Sequence, residues 1–278
     1  PLNGFFNFLL IYGIAGLPEL GGAGAGLGTS LAYWALLLIS IVVIKKHQKV
    51  KPYHIEKIQP LDKAALIDAL KLGLPIGGTV FAEVAIFSGV GLIMAKYPSL
   101  VIASHQAAMN FSNLMYAFPL SISSAMAIII SYEFGARRMN AVKSYSKLGR
   151  LTALGFSIFT LIFLYFLRYD LAELYGHEPD FLRMTAIFMT YSLFFQVADV
   201  FAAPLQGILR GYKDTKVPFY LGVLAYWGIT FPVGFLLEKV TGLGPYSYWI
   251  GLIASLIVSG LCYQWRLNKI VKRYECHR

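Results

Sequence analysis

Charge is the first thing this chain lacks. Only 14% of its 278 residues are Asp, Glu, Lys or Arg, against about 25% in a soluble domain. With 57% of residues hydrophobic, a water-soluble fold of this length is excluded. Cysteine is scarce too: only Cys262 and Cys276 are present. Both fall at the end of the chain that the charge pattern assigns to the reducing side, which argues against a disulfide. The pair Cys276-His277 is too small a cluster for a metal site. There is no G-x-S-x-G, no H-E-x-x-H and no phosphate-binding glycine loop, so no enzyme and no cofactor are expected. The glycine-rich stretch Gly21–Gly28 opens an apolar run and suits close helix packing instead.

What charge exists is segregated. No charged residue lies between Glu19 and Lys45, in 97–132, in 217–237 or in 240–265, while 72–95 holds only Glu83 and 184–209 only Asp199. A helix crossing the hydrocarbon core needs roughly 20 residues. The pattern predicts an all-α polytopic membrane protein with spans near 20–44, 72–95, 101–132, 151–167, 184–209, 217–237 and 244–265. Nineteen of the 24 basic residues fall in 45–63, 133–150, 210–216 and 266–278. Alternation of these clusters with the acidic stretches predicts that all four are cytoplasmic. The formal charge of +10 then reports topology and contact with an anionic bilayer, not a nucleic-acid partner.

The apolar run 1–13 is too short to span, and the chain is expected to be the later part of a longer, transporter-sized protein. The expected domains are the end of one lobe (1–44), a cytoplasmic linker (45–71), a six-helix lobe (72–265) and a cytoplasmic tail (266–278). Within the linker, 61–70 reads as a short amphipathic helix. A faint repeat relates the lobes: Leu20-Gly21 with Gly28 matches Leu243-Gly244 with Gly251 at the same spacing, as parallel transporter repeats would.

Glu83 and Asp199 each lie 11 residues from the cytoplasmic end of their span, about 16 Å deep at about 1.5 Å per residue. A carboxylate there costs at least about 2.5–3.5 kcal/mol, so a cation path is the leading reading and helix-to-helix adhesion the bland one. Helical spacing adds a polar stripe in the sixth span (Ser192, Gln196, Asp199, Ala203, Gln206) and another in the fourth (Gln106, Asn110, Asn113, Ser121, Ser124). Thr79 sits one turn before Glu83. These stripes are expected to line a wet interior, with Phe81, Phe87 and Phe195 placed to stack on an aromatic cation. Pro75, Pro119, Pro204 and Pro232 kink their spans, either as static geometry or as part of alternating access. His105 begins the fourth span on its outer side and reads as a capping or interfacial histidine rather than a proton carrier. In the loop 210–216, Arg210 is expected to bond helix-terminal carbonyls and Asp214 to cap the next helix, making a structural clamp.

The stretch Gly207-Ile208-Leu209-Arg210-Gly211-Tyr212-Lys213-Asp214-Thr215-Lys216-Val217-Pro218 resembles the G-x-L-R-G-x-x-D-T-x-x-P loop of the multidrug and toxic compound extrusion (MATE) family. Gly73-Leu74-Pro75-Ile76, His105-Gln106 with Asn110, Pro119-Leu120-Ser121 and Gly135-Ala136 strengthen it. The resemblance covers family helices five (in part) to twelve. It implies a MATE-like bundle, a monomer at full length, and Glu83 and Asp199 as the acidic positions of the seventh and tenth family helices. These would bind Na+ or H+ and drive export of amphipathic cationic drugs. Phe195 replaces a tyrosine common one turn before that aspartate, so one oxygen ligand is missing. The alternative is a lipid-linked sugar flippase of the wider superfamily, whose cavity should carry several Arg or Lys for pyrophosphate.

Overall fold

The computed structural model describes residues 1–16, 18–46 and 62–275. Their regular structure is helical: α1 (Leu2–Ile11), a 3-10 turn (Ile14–Gly16), α2 (Gly21–Lys46), α3 (Lys63–Met94), α4 (Ser99–Gly135), α5 (Met139–Glu173), α6 (Pro179–Gly211), α7 (Lys216–Thr241) and α8 (Tyr246–Glu275). Helices α2 to α8 are each long and apolar enough to cross a membrane, and the chain is a multi-pass membrane protein. The chain divides into two compact units, Pro1–Lys63 and Ala64–Arg278. Most of the expected linker (47–61), Cys276 and His277 lie outside the described residues.

The helices outrun the expected spans. Residues 63–70 do not form a separate helix but are the first two turns of α3, since nothing between Leu70 and Leu72 breaks the chain. Helix α5 starts twelve residues before the expected span, at Met139, because Lys and Arg are good helix formers once outside hydrocarbon. All four prolines sit inside helices.

In the second unit, α6 is the central helix. Its apolar window is 67% buried, against 22% for α3, α4 and α5, and it packs on α4, α5 and α8. Gly207 makes the α4–α6 approach possible: a Cβ there would lie 2.8 Å from the Ser123 carbonyl carbon and 2.9 Å from its Cα. The two glycine pairs of the faint repeat play matching local roles, each in its own unit. Gly21 and Gly244 have φ of 50° and 56°, the left-handed region open to glycine. Gly28 abuts Asn7 on α1, and Gly251 abuts the Thr230 carbonyl on α7.

The loop after α6 differs in detail from expectation. Arg210 is not needed by the helix-end carbonyls, because the N–H groups of Lys213 and Asp214 donate to Arg210 O and Leu209 O at 2.9 and 3.1 Å. Lys213 takes the left-handed turn at φ 59°, closing the helix as glycine commonly does. Asp214 does not cap α7. Its carboxylate instead accepts two bonds from Arg266 on α8, at 2.6 and 3.2 Å, so the guanidinium fork outcompetes the α7 N–H groups. His105 is likewise no cap: it is buried within α4, and its Nδ1 accepts from the Trp249 indole at 3.1 Å. At the opposite end of the unit, Lys96 lies 2.7 Å from the Glu238 carboxylate, which also accepts from Tyr248 at 2.6 Å and from Tyr97. Burial, and then the bond to Glu238, push the Tyr97 hydroxyl up to about 12.

The close approach at Gly207 yields a test. Overpacking a tight contact costs about 1–3 kcal/mol, so Gly207→Ala should lower the thermal midpoint in detergent by several degrees. Gly228→Ala, where a Cβ meets nothing within 4 Å, should leave it unchanged or raise it. Equal midpoints for the two variants would contradict the packing described.

Candidate functional site

Helix α3 is notched where it meets α7. Cβ atoms at Gly78 and Gly89 would lie 2.6 and 2.8 Å from the rings of Phe219 and Phe231. Along α3 those notches lie five residues before and six after Glu83, whose carboxylate reaches α7 between them. There Oε1 accepts the Tyr226 hydroxyl at 2.7 Å and, more loosely, Gln206 Nε2 at 3.4 Å, while Oε2 faces the Tyr116 hydroxyl at 3.4 Å. Glu83 is thus held from α4, α6 and α7 at once.

Asp199 is buried on the facing side of α6, 6% exposed. Its Oδ2 has no hydrogen-bond partner among the described residues. Glu83, Asp199, Tyr116, Tyr226 and Ser255 line one cavity with about 20 Å³ open to a water-sized sphere. About 10–15 Å³ suffices for one water, so the space fits a single ion or water and excludes a drug. A wider groove of about 160 Å³ lies beside it, lined by Phe87, Phe195, Trp249, Asn113, Arg210 and again Glu83. Glu83 is the carboxylate common to both spaces.

The other expected site residues divide. Phe87 and Phe195 meet edge to face at 5.4 Å and line both spaces. Gln206 links Glu83 to Arg210, accepting the guanidinium through Oε1. Gln196 turns away toward Thr160 on α5 at 3.2 Å, although it lines a smaller void with Asp199. Thr79 is buried, its hydroxyl donated to the Pro75 carbonyl at 2.8 Å, and it lines neither space. Phe81 is 74% exposed and lines neither space.

The stripe of α4 does not line the interior of this unit. Gln106, Asn110, Asn113, Ser121 and Ser124 are all exposed. Asn113 alone reaches the groove, and Asn110 accepts from Tyr175 at 3.2 Å. The buried face of α4 carries Ser104, His105, Ala108 and Ser123 instead. Helical spacing shows that polar residues share a face, not which way the face points. Tyr116 and Tyr226 were missed. The signal was there for Tyr226, ten residues into its span and about 15 Å deep, below any interfacial aromatic belt.

The sequence from 75 to 236 matches the MatE family. The chain belongs to that family. It is 66% identical over 275 residues to the "Probable multidrug resistance protein NorM" of Streptococcus pneumoniae (strain ATCC BAA-255 / R6), covering 99% of this chain and 61% of the relative. It is 44% identical over 276 residues to the protein of the same name from Bacillus subtilis (strain 168), with the same coverage. The chain therefore spans about 61% of the length of these curated relatives. Among solved structures, the eukaryotic MATE transporter AtDTX14 superposes with a TM-score of 0.83 at 16% identity, over 95% of this chain and 58% of that one. The Vibrio cholerae MATE transporter VcmN in its bent form gives 0.77 at 15%, over 98% and 60%. At such identity these structures show a common fold alone, and that fold is the MatE bundle expected from the sequence.

The two tyrosines around Glu83 separate by distance. A hydrogen bond to a charged group contributes about 1.5–3 kcal/mol, and only the Tyr226 bond is short. Tyr226→Phe should lower the thermal midpoint of the MatE chain in detergent clearly, and Tyr116→Phe by much less. A larger fall for Tyr116→Phe would contradict the geometry.

Proposed function

We propose that this chain carries the ion-coupling site of a multidrug efflux antiporter, with Glu83 and Asp199 binding Na+ or H+ as the co-substrate. The observation that carries the reading is the unpartnered Asp199 oxygen facing, with Glu83, a cavity sized for one small ion. A buried carboxylate oxygen without a donor is expensive, and a proton or a bare cation relieves that cost. Carboxylate and hydroxyl oxygens suit a hard cation, while the apolar walls Ile86, Phe87, Leu252 and Leu256 favour loss of charge by protonation. Both ions act alike: each neutralises the acids from within.

The adjoining groove supplies the other half of the exchange. Its aromatic rings offer faces to an organic cation, and Glu83 offers charge. A drug-sized site is about 300 Å³ or more, so the groove would take the aromatic head of an amphipathic cation rather than the whole molecule. Ion and drug then draw on one carboxylate, Glu83, and occupancy by one disfavours the other. Entry of the ion from outside would release drug there, and its departure inside would restore the charge that recruits the next. In this reading the protein sits in the plasma (inner) membrane with its basic clusters and C-terminus cytoplasmic, works as a monomer, and completes its path with helices of the native-length protein. A lipid-linked sugar flippase gains nothing from these spaces: among the described residues Arg210 is the one basic residue lining them, and it is already bonded to Gln206.

In the native-length protein, Glu83→Gln and Asp199→Asn should each abolish drug resistance in a pump-deficient host while leaving expression largely intact. Full resistance from both variants would overturn the assignment.

A further inference from the structure

A second groove of this unit lies away from the acidic site, among the basic ends of α5 and α8. It holds about 380 Å³, the size of a small-molecule site. Lys143, Ser146 and Arg150 enter it from one face of α5, and Gln264, Asn268 and Lys272 from one face of α8. Among the described residues no acidic side chain lines it. The polar floor is already organised. Arg150 donates from Nε to the Ser146 carbonyl at 3.1 Å and from Nη1 to Gln264 Oε1 at 3.2 Å, and Gln264 Nε2 donates to Asn268 at 2.7 Å. These bonds use two of the five guanidinium N–H groups and steady the fork.

Depth identifies the ligand class. The charge-free stretches begin at Leu151 on α5 and end at Trp265 on α8, so the groove lies just beyond them, at headgroup level. Leu267 and Val271 add an apolar wall, and the exposed rings of Trp265 and Tyr274 suit the interface beside it. Basic pockets between helices at this depth hold phosphate headgroups, and a guanidinium fork matches phosphate geometry. We propose that the α5–α8 groove is a binding site for the phosphate headgroup of an anionic phospholipid, with Arg150 and Lys272 as the recognising charges. A free phosphate would need neither the apolar wall nor the interfacial rings. This site stands whether or not the transport reading holds.

The test is lipid titration of the native-length protein in detergent, read by native mass spectrometry, with dioctanoyl phosphatidylglycerol against dioctanoyl phosphatidylcholine. The parent should prefer phosphatidylglycerol. Each basic side chain near a lipid phosphate contributes about fivefold, so Arg150→Gln/Lys272→Gln should reduce that preference by about twenty-five-fold. A control with equal charge loss outside the groove, Lys45→Gln/Lys147→Gln, should keep it within about twofold. Should the groove double variant fail to fold, the exposed single change Lys272→Gln should lose about fivefold. Retained preference in the groove variants, or equal loss in the control, would overturn the site. Displacement of the lipid by millimolar inorganic phosphate would overturn the lipid assignment in favour of a free anion.

Discussion

Two carboxyl groups facing one small apolar cavity set the terms for the helices around them. In water two such acids interact weakly, but the same charges repel several times more strongly where the effective dielectric falls toward about 20. The surrounding helices answer Glu83 and Asp199 unequally. Glu83 receives hydroxyl and amide donors from three helices, with Tyr226 the shortest at 2.7 Å. Asp199 is left with an oxygen, Oδ2, that has no hydrogen-bond partner among the described residues. A site built only to hold helices together would satisfy both acids, because a half-satisfied buried network is worse than an apolar one. The asymmetry suits a site that must accept and release a positive charge.

Packing elsewhere serves that arrangement. Glycine notches at Gly78 and Gly89 admit Phe219 and Phe231 and so bring Tyr226 opposite Glu83. Gly207 lets α6 lie directly against Ser123 of α4, and Gln206, its neighbour in sequence, reaches Glu83. The ends of the unit are fastened by charge pairs away from the cavity: Asp214 with Arg266 on the basic side, and Glu238 with Lys96 on the other. In the proposed reading, the middle of the bundle changes protonation or ion occupancy while its ends stay tied.

The bundle was legible in the sequence because membrane spans announce themselves by missing charge. Glu83 and Asp199 stood out for the same reason. Span ends were not legible, since a Lys-rich segment such as 139–150 continues a helix as well as an apolar one does. The direction of the α4 stripe was not legible either. Apolar residues cover a membrane helix all round, so they give no second face against which to orient the polar one. Tyr116 and Tyr226 were hidden among 18 tyrosines, most of them compatible with an interfacial belt. The Arg266 partner of Asp214 is 52 residues away, whereas the cap and carbonyl contacts expected of that loop were local guesses. Sequence spacing reports neighbours along a helix well and neighbours across a bundle poorly.

The central claim is that one carboxylate, Glu83, is shared between a coupling-ion cavity and a cation-binding groove. Equilibrium binding of ethidium to the purified native-length protein, measured across a Na+ series and a pH series, tests it most directly. Affinity should fall as Na+ rises, or as pH falls if protons couple, and the dependence should vanish in Glu83→Gln. Affinity independent of both ions, or tighter binding of an anionic dye, would contradict the account.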